Sequence, residues 1–299
     1  MAGVRIGNAT KVLYRDAGVT KLELARYYEF VAPWMLPWMA RRPLTLLRCP
    51  NGYDAGCFFQ KNAHGAPAES VGHVRIPSRH GDPESEYLFV RDAASLAALV
   101  QLGVLEIHIW GSRVTDLERP DRIVFDLDPG PNVSWKQVCD GAATVREALA
   151  RLGMKSLLMT TGGKGLHVVV PVVADREWPQ IKSFAHSVVR AIVKTEPGRF
   201  TAHLAKARRE GVIFVDYLRN GRGATAVAPY STRARPGAPV AVPVGWEELR
   251  DLSGGDHFDV RSTLARLAKL RRGDAWKRAR LQPRSIAAVL DAARAAAPS

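Results

Sequence analysis

The sequence predicts an α+β fold. Strand-like and helix-like segments are interspersed without the strict alternation that a doubly wound parallel sheet requires. Two apolar segments, at 155–160 and 166–172, are joined only by Thr161-Gly-Gly-Lys-Gly165, a hairpin-type connection. No internal repeat and no linker divides the 299 residues, so the chain reads as one domain, 1–299.

Taken in order, Thr20-Lys-Leu-Glu23 has the form of a capping box and opens a helix through Phe30. Pro33, Pro37 and Pro43 are expected to break the chain before a strand at 44–48. Residues 63–83, rich in Gly, Pro and Ser, read as loop with short strands. A strand at 87–90 follows, then a helix capped by Asp92 and running to about Leu102. Residues 105–110 alternate at period two, which predicts a strand with one packed face. Ile123-Val-Phe125 is a strand stopped by Pro129-Gly130. Residues 135–152 and 178–194 have helical spacing, and 211–216 is a further strand. Residues 220–239 form a loop or set of turns. The segments 246–252, 260–271 and 284–296 read as short helices.

The composition is that of a soluble globular protein, 46% hydrophobic and 24% charged, but the net charge of +14 is unusual. Such an excess points to a polyanionic partner. With no apolar run of 18 residues and no signal-like start, the expectation is a cytoplasmic chain whose polyanion is nucleic acid, not a membrane. Cys49, Cys57 and Cys139 form no C-x-x-C pair and are odd in number, so they read as three buried small apolar residues.

Asp126-Leu-Asp128 is the most informative feature. On a strand, residues i and i+2 share a face, so two carboxylates project side by side at its carboxyl end. Their repulsion and desolvation are relieved by a divalent cation, Mg²⁺ or Mn²⁺ for all-oxygen ligands. An acidic strand end facing water is the bland alternative. Asp216 closes the apolar segment Val212-Ile-Phe-Val215 in the same way, and three such acids suit a two-metal phosphoryl-transfer site.

In Thr160-Thr-Gly-Gly-Lys-Gly-Leu-His167, glycines let backbone N–H groups approach an anion. Lys164 adds charge, Thr161 a hydroxyl, and His167 a donor for a phosphate oxygen. This is not a Walker A loop, because Gly165 follows the lysine and a strand comes next. Arg208, Arg209, Arg219, Arg222, Arg233 and Arg235 supply guanidinium forks for a triphosphate. Arg271, Arg272, Lys277, Arg278 and Arg280 are first a solvated basic face, or else a nucleic-acid path. From position alone, His108 reads first as a packed, hydrogen-bonded core residue, and Trp34, Trp38 and Trp110 as core rather than base-stacking platforms.

Phe125-Asp-Leu-Asp-Pro-Gly130, Thr161-Gly-Gly-Lys-Gly-Leu-His-Val168 and Asp216-Tyr-Leu-Arg-Asn220, in this order, closely resemble the polymerase domain of bacterial DNA ligase D, in the archaeo-eukaryotic primase-polymerase superfamily. The resemblance runs from Thr10-Lys-Val-Leu-Tyr14 to the Arg235 region. It implies a primase-polymerase fold, with mixed and antiparallel sheets forming a catalytic cleft flanked by helices. The catalytic core would lie at about 105–240 and C-terminal helices at about 246–297. It further implies a template-directed nucleotidyltransferase of non-homologous end joining that prefers ribonucleotides and Mn²⁺.

The resemblance makes Asp126, Asp128 and Asp216 the catalytic, metal-binding acids, holding two ions (Mn²⁺ or Mg²⁺). Lys61, His108, Thr161, Lys164, His167, Arg219 and Arg233 become nucleotide contacts, His108 near the incoming sugar. Lys11 and Lys21 resemble a pair that receives the 5′-phosphate at a gap or double-strand break, and Arg209 touches template or nucleotide. Ribo- and deoxyribonucleoside triphosphates are the implied substrates, with Ku and ligase or nuclease modules as further partners and a nucleoid-associated location. A metal-dependent phosphatase or nuclease, and a non-catalytic end-binding scaffold, are the rival readings.

Overall fold

A computed structural model describes residues 1–63, 69–77, 84–270, 273–279 and 282–295. Contacts divide the chain into two compact units, the first comprising 1–115, 227–242 and 258–274, the second 116–226, 243–257 and 275–299. Helices mix with mainly antiparallel sheets, the α+β class read from the sequence.

In the first unit, β1 (Val12–Tyr14) and β2 (Val19–Thr20) lead into α1 (Lys21–Met39). The capping box is complete: Glu23 N–H donates to Thr20 Oγ1 at 3.2 Å, and Thr20 N–H donates to Glu23 Oε2 at 2.7 Å. The helix does not break at Pro33 or Pro37, contrary to the sequence expectation. Both prolines lie one turn apart on its exposed side, so the carbonyls they leave unbonded face water, while Val31, Ala32, Met35 and Met39 are buried on the other side.

Next come β3 (Leu44–Arg48), β4 (Phe58–Gln60), the hairpin β5 (Gly72–Ile76) and β6 (Ser85–Phe89), α2 (Ala93–Gln101) and β7 (Val104–Trp110). Strands β7, β3 and β4 pair antiparallel in that order. Both faces of β7 are packed rather than one, and the segment 228–234 bonds along its edge: Ala228 N–H donates to Ile107 O at 2.9 Å and Ile107 N–H to Ser231 Oγ at 2.8 Å.

The cysteines also depart from expectation. Arg48 pairs with Phe58 across the β3–β4 hairpin, so Cys49 and Cys57 are the next opposed pair, and they form a disulfide with Cα atoms 4.4 Å apart. Cys49 is buried and Cys57 exposed; Cys139 is free and half-buried, its thiol pushed up to about 11 by burial and by Asp140.

The second unit is built on β8 (Arg122–Pro129), α3 (Trp135–Arg151), β9 (Leu157–Thr160), β10 (Leu166–Pro171), α4 (Trp178–Thr195), β11 (Phe200–Thr201), β12 (Ile213–Asp216) and β14 (Pro243–Val244), whereas β13 (Thr225–Val227) is the outer strand of the sheet of β7, β3 and β4. Six strands form one sheet in the order β11-β12-β8-β10-β9-β14, with β8 near its centre and β8, β9 and β10 joined antiparallel. Helices α3 and α4 pack on it and on each other.

Of the late helices, 246–251 is 3₁₀, Val260–Lys269 belongs to the first unit, and Ile286–Ala295 to the second. The sequence reading missed Ala275–Ala279, where Trp276 is buried and donates its Nε1–H to Leu158 O at 2.7 Å. Arg271, Arg272, Arg280 and much of the 63–83 segment lie outside the described residues. Among the described residues no helix is long and apolar enough to cross a membrane.

Candidate active site

Register in the second unit's sheet decides which acids meet. Asp126 on β8 lies directly opposite Asp216 on β12 at one side and His167 on β10 at the other. Directly opposed residues have Cβ atoms about 5 Å apart. Asp128 sits two residues along β8, on the same face as Asp126. The three acids and His167 are therefore brought together.

Arginines neutralise this row. Arg219 Nε lies 3.2 Å from Asp126 Oδ2 and 3.2 Å from Asp216 Oδ2, bridging two strands. Arg209 Nη1 is 3.0 Å from Asp128 Oδ2, and its guanidinium lies over the Phe214 ring. His167 Nε2 is 3.5 Å from Asp126 Oδ1, while its Nδ1 is buried and has no hydrogen-bond partner.

The acids are not equivalent. Burial drives Asp126 upward, but His167 and Arg219 outweigh it and hold the carboxyl at about 2. Asp128 is raised, by burial first and then by repulsion from Asp126. Asp216 is also raised by burial, against the opposing pull of Arg219 and the Leu218 N–H.

The Thr161–Gly165 turn is held from within. Thr161 Oγ1 donates to Gly165 O at 2.9 Å and accepts from Gly163 N–H at 3.3 Å, so this hydroxyl shapes the turn. Gly165 is obligatory: a Cβ there would come within 2.0 Å of Leu127 O, on the strand that carries the acids. Lys164 is exposed and, with Gly163, Asn132 and Asp256, lines a cavity of about 450 Å³.

Asn220 was quoted in a motif but given no role by the sequence reading. It is buried, with Oδ1 accepting from Val124 N–H at 2.8 Å and Nδ2 donating to Val124 O at 2.8 Å and Tyr217 O at 2.9 Å. Its amide thus replaces a strand partner for β8 two residues before Asp126 and anchors the turn that carries Arg219. The signal available in the sequence was an asparagine closing Asp216-Tyr-Leu-Arg219.

In the first unit, His108 Nε2 is 2.9 Å from Glu106 Oε2, Arg233 Nε is 3.1 Å from the same oxygen, and Ala234 N–H donates to Glu106 Oε1 at 2.9 Å. Glu106 therefore gathers both predicted nucleotide contacts of this unit's interior. A lone acid inside an apolar strand was the overlooked signal. Burial raises its carboxyl, but His108 and Arg233 prevail and hold it at about 2.

Lys61 is exposed just beyond β4, where Phe58 and Phe59 are also exposed, at 50% and 65%. The Phe59 ring stands edge-on to His108 at 6.2 Å. Lys11 and Lys21 adjoin: Lys21 N–H donates to Lys11 O at 2.8 Å, and the Lys11 ammonium donates to Asn51 Oδ1 at 2.8 Å. Lys21, the first residue of α1, is lowered by burial and then by the charge of Lys11.

The donor chemistry of the acid row fits hard divalent cations, which take carboxylate oxygens. Three carboxylates share two arginines, and burial pushes two of the carboxyls up, so the row has room for further positive charge. As placed, with Arg219 between Asp126 and Asp216, no three His, Cys, Asp or Glu side chains among the described residues are gathered to hold an ion.

A family model described as LigD, primase-polymerase domain, matches residues 20–276. The multifunctional non-homologous end joining protein LigD of Pseudomonas aeruginosa is 39% identical over 275 residues, 92% of this chain and 32% of that protein. LigD of Mycobacterium tuberculosis is 35% identical over 256 residues, 83% of this chain and 34% of that protein. The chain spans about a third of the length of these relatives. The solved polymerase domain of Mycobacterium tuberculosis ligase D in complex with DNA superposes with a TM-score of 0.85 at 33% identity, covering 93% of this chain and 98% of that one.

Proposed function

This chain belongs to the LigD primase-polymerase domain family, a family of DNA-directed nucleotidyltransferases, and we propose that it is a template-directed polymerase that fills or extends DNA ends in non-homologous end joining. The observation that carries the reading is the strand register that sets Asp216, Asp126 and His167 in one row with Asp128 beside them.

Asp126, Asp128 and Asp216 would hold two divalent cations, Mn²⁺ or Mg²⁺, which lower the pKa of a primer 3′-hydroxyl and neutralise charge on the triphosphate. Arg219 and Lys164 bind the polyphosphate, and His167 donates to one of its oxygens; these cations offset charge passing to pyrophosphate. Thr161 keeps the Lys164 turn in shape. Asn220 keeps Asp126 and Arg219 in register. Arg209, held by Asp128, exchanges that carboxylate for a phosphate of nucleotide or template.

In the first unit, Glu106 orients His108 towards the incoming sugar and Arg233 towards phosphate, with Lys61 as a further cation. Ribonucleotide preference belongs to His108, since a ring nitrogen can bond the 2′-hydroxyl. Exposed Phe58 and Phe59 offer faces on which template bases stack. Lys11 and the buried Lys21, beside the N–H groups that open α1, receive a 5′-phosphate. Ku, ligase and nuclease modules, and a cytoplasmic, nucleoid-associated site of action, accompany this role.

Primer extension on gapped DNA, with Mn²⁺ or Mg²⁺ and either ribo- or deoxyribonucleoside triphosphates, tests the proposal. Asp126→Ala is expected to lower extension by about a thousandfold or more while DNA binding is largely kept. Extension retained by Asp126→Ala, or cleavage of DNA without added nucleotide, refutes it.

A further inference from the structure

A groove of about 670 Å³ beside α4 is lined by His186, Ser187, Arg190, Lys194 and His203, and lies apart from the acids just described. Lys182, His186, Arg190 and Lys194 occupy successive i+4 positions, so this row of bases follows the helix for about 18 Å. Several arginines elsewhere in the unit are neutralised, among them Arg199 by Glu196, Arg209 by Asp128 and Arg222 by Glu118. Among the described residues no carboxylate lies within ion-pair distance of His186, Arg190, Lys194 or His203, and none lines the groove. Arg190 and Lys194, unpaired cations gathered in a concavity beside two imidazoles that can donate hydrogen bonds, call for an external polyanion.

Two features connect the groove with the acid row. The His186 ring stacks on Tyr217, with centroids 4.3 Å apart and planes 16° apart, and Tyr217 directly follows Asp216. His203 lies just beyond β11, the edge strand of the sheet, in the segment that continues to Arg209 on Asp128. We infer that this groove is a second nucleic-acid site, which takes the phosphodiester backbone of a single-stranded segment and leads it round the sheet edge towards Asp128. A basic track with the stacked rings of His186 and Tyr217 at its side suits an unpaired strand, whose bases are free to stack. The inference rests on the nucleic-acid reading above, but no residue lining the groove is assigned there to catalysis.

The test is binding of a labelled oligothymidine by the full chain, by fluorescence anisotropy across a salt series, without metal or triphosphate. Each lost phosphate contact lowers the slope of log K against log salt by about 0.7 for single strands. Arg190→Ala/Lys194→Ala, both exposed, is expected to lower it by about 1.4 and to weaken binding about tenfold near 0.1 M salt. The control Arg151→Ala/Lys155→Ala, cations outside the groove, is expected to keep the wild-type slope. An unchanged slope in the groove variant, equal losses in both variants, or no wild-type binding overturns the inference. A blunt duplex that competes as well as a single strand also overturns it. A chain that binds with this slope but fails to extend primers keeps the groove and sinks the polymerase reading; extension with an unchanged slope does the reverse.

Discussion

Replacing Glu106 by glutamine leaves shape and removes one charge, and the structure sets what that costs. The carboxylate side chain is only 6% exposed and faces His108 Nε2 at 2.9 Å, Arg233 Nε at 3.1 Å and Ala234 N–H at 2.9 Å. Its pKa falls from the usual 4.5 to about 2 in the folded chain. A depressed carboxyl stabilises the fold fully above the unfolded value and loses that contribution as pH falls through the folded one. The shift corresponds to about 3 kcal/mol at pH 7 and about 1.4 kcal/mol at pH 3, from the linkage relation. Urea denaturation of wild type and Glu106→Gln at both pH values reads the difference directly. The variant is expected to be less stable by about 3 kcal/mol at pH 7, with the gap shrinking by about 2 kcal/mol at pH 3. Because every other carboxyl is common to both proteins, a gap that stays constant refutes the argument that this charge holds His108 and Arg233. In primer extension, KM for the nucleotide should rise more than kcat falls, since the residue positions binding groups and touches no reacting atom.

Asn220→Ala strands both backbone groups of Val124 and is expected to cost about 3 kcal/mol in chemical denaturation, with extension lost alongside; undiminished stability counts against the strand-partner role. Asn220→Asp keeps the acceptor but turns a carboxylate oxygen onto the Val124 and Tyr217 carbonyls, so it should cost at least as much as the alanine. Reducing the Cys49–Cys57 bond, eight residues apart, should cost about 2.5 kcal/mol by loop-closure entropy, and intact mass under non-reducing alkylation should show a single free thiol, Cys139.

What the sequence displays plainly is what local periodicity encodes. Asp126 and Asp128 share a face because a strand has period two, and Ile123-Val-Phe125 with Pro129 is unmistakably a strand. Capping at Thr20 and Asp92 is equally local. Register across strands is not local. That Asp126 opposes both Asp216 and His167 depends on β12 and β10 flanking β8, which no spacing along the chain expresses. The Cys49–Cys57 pairing is hidden for the same reason, since it follows from Arg48 meeting Phe58. Pro33 and Pro37 misled because their cost depends on which side of the helix they face. Asn220 escaped notice as a site residue because its partners are backbone groups, and Glu106 because Arg233 and Ala234, which fix it beside His108, lie far along the chain.

The acid row carries its own countercharge, and this bears on how three clustered carboxylates are held in one sheet. Three carboxylates at adjacent strand positions repel one another, and burial raises Asp128 and Asp216. Arg219 and Arg209 offset that repulsion at 3.2 Å and 3.0 Å. Both guanidiniums can also fork onto phosphate. Under the proposed function, Asp126, Asp128 and Asp216 would exchange their arginine partners for the divalent cations they hold, and Arg219 and Arg209 would then be free to take the polyphosphate. Removing either arginine should then weaken nucleotide binding while leaving the carboxylates more repulsive and more easily protonated. Arg219→Ala is accordingly expected to raise KM for the triphosphate and to shift the acid limb of the pH–rate profile upward, because Asp126 loses a cation that now holds it down. Arg219→Lys restores the charge but not the bridge between Asp126 and Asp216, so the acid limb should return towards wild type while KM stays raised. An acid limb that is identical in wild type, Arg219→Ala and Arg219→Lys means that the arginine is no counter-ion to the acids, and the exchange argument fails.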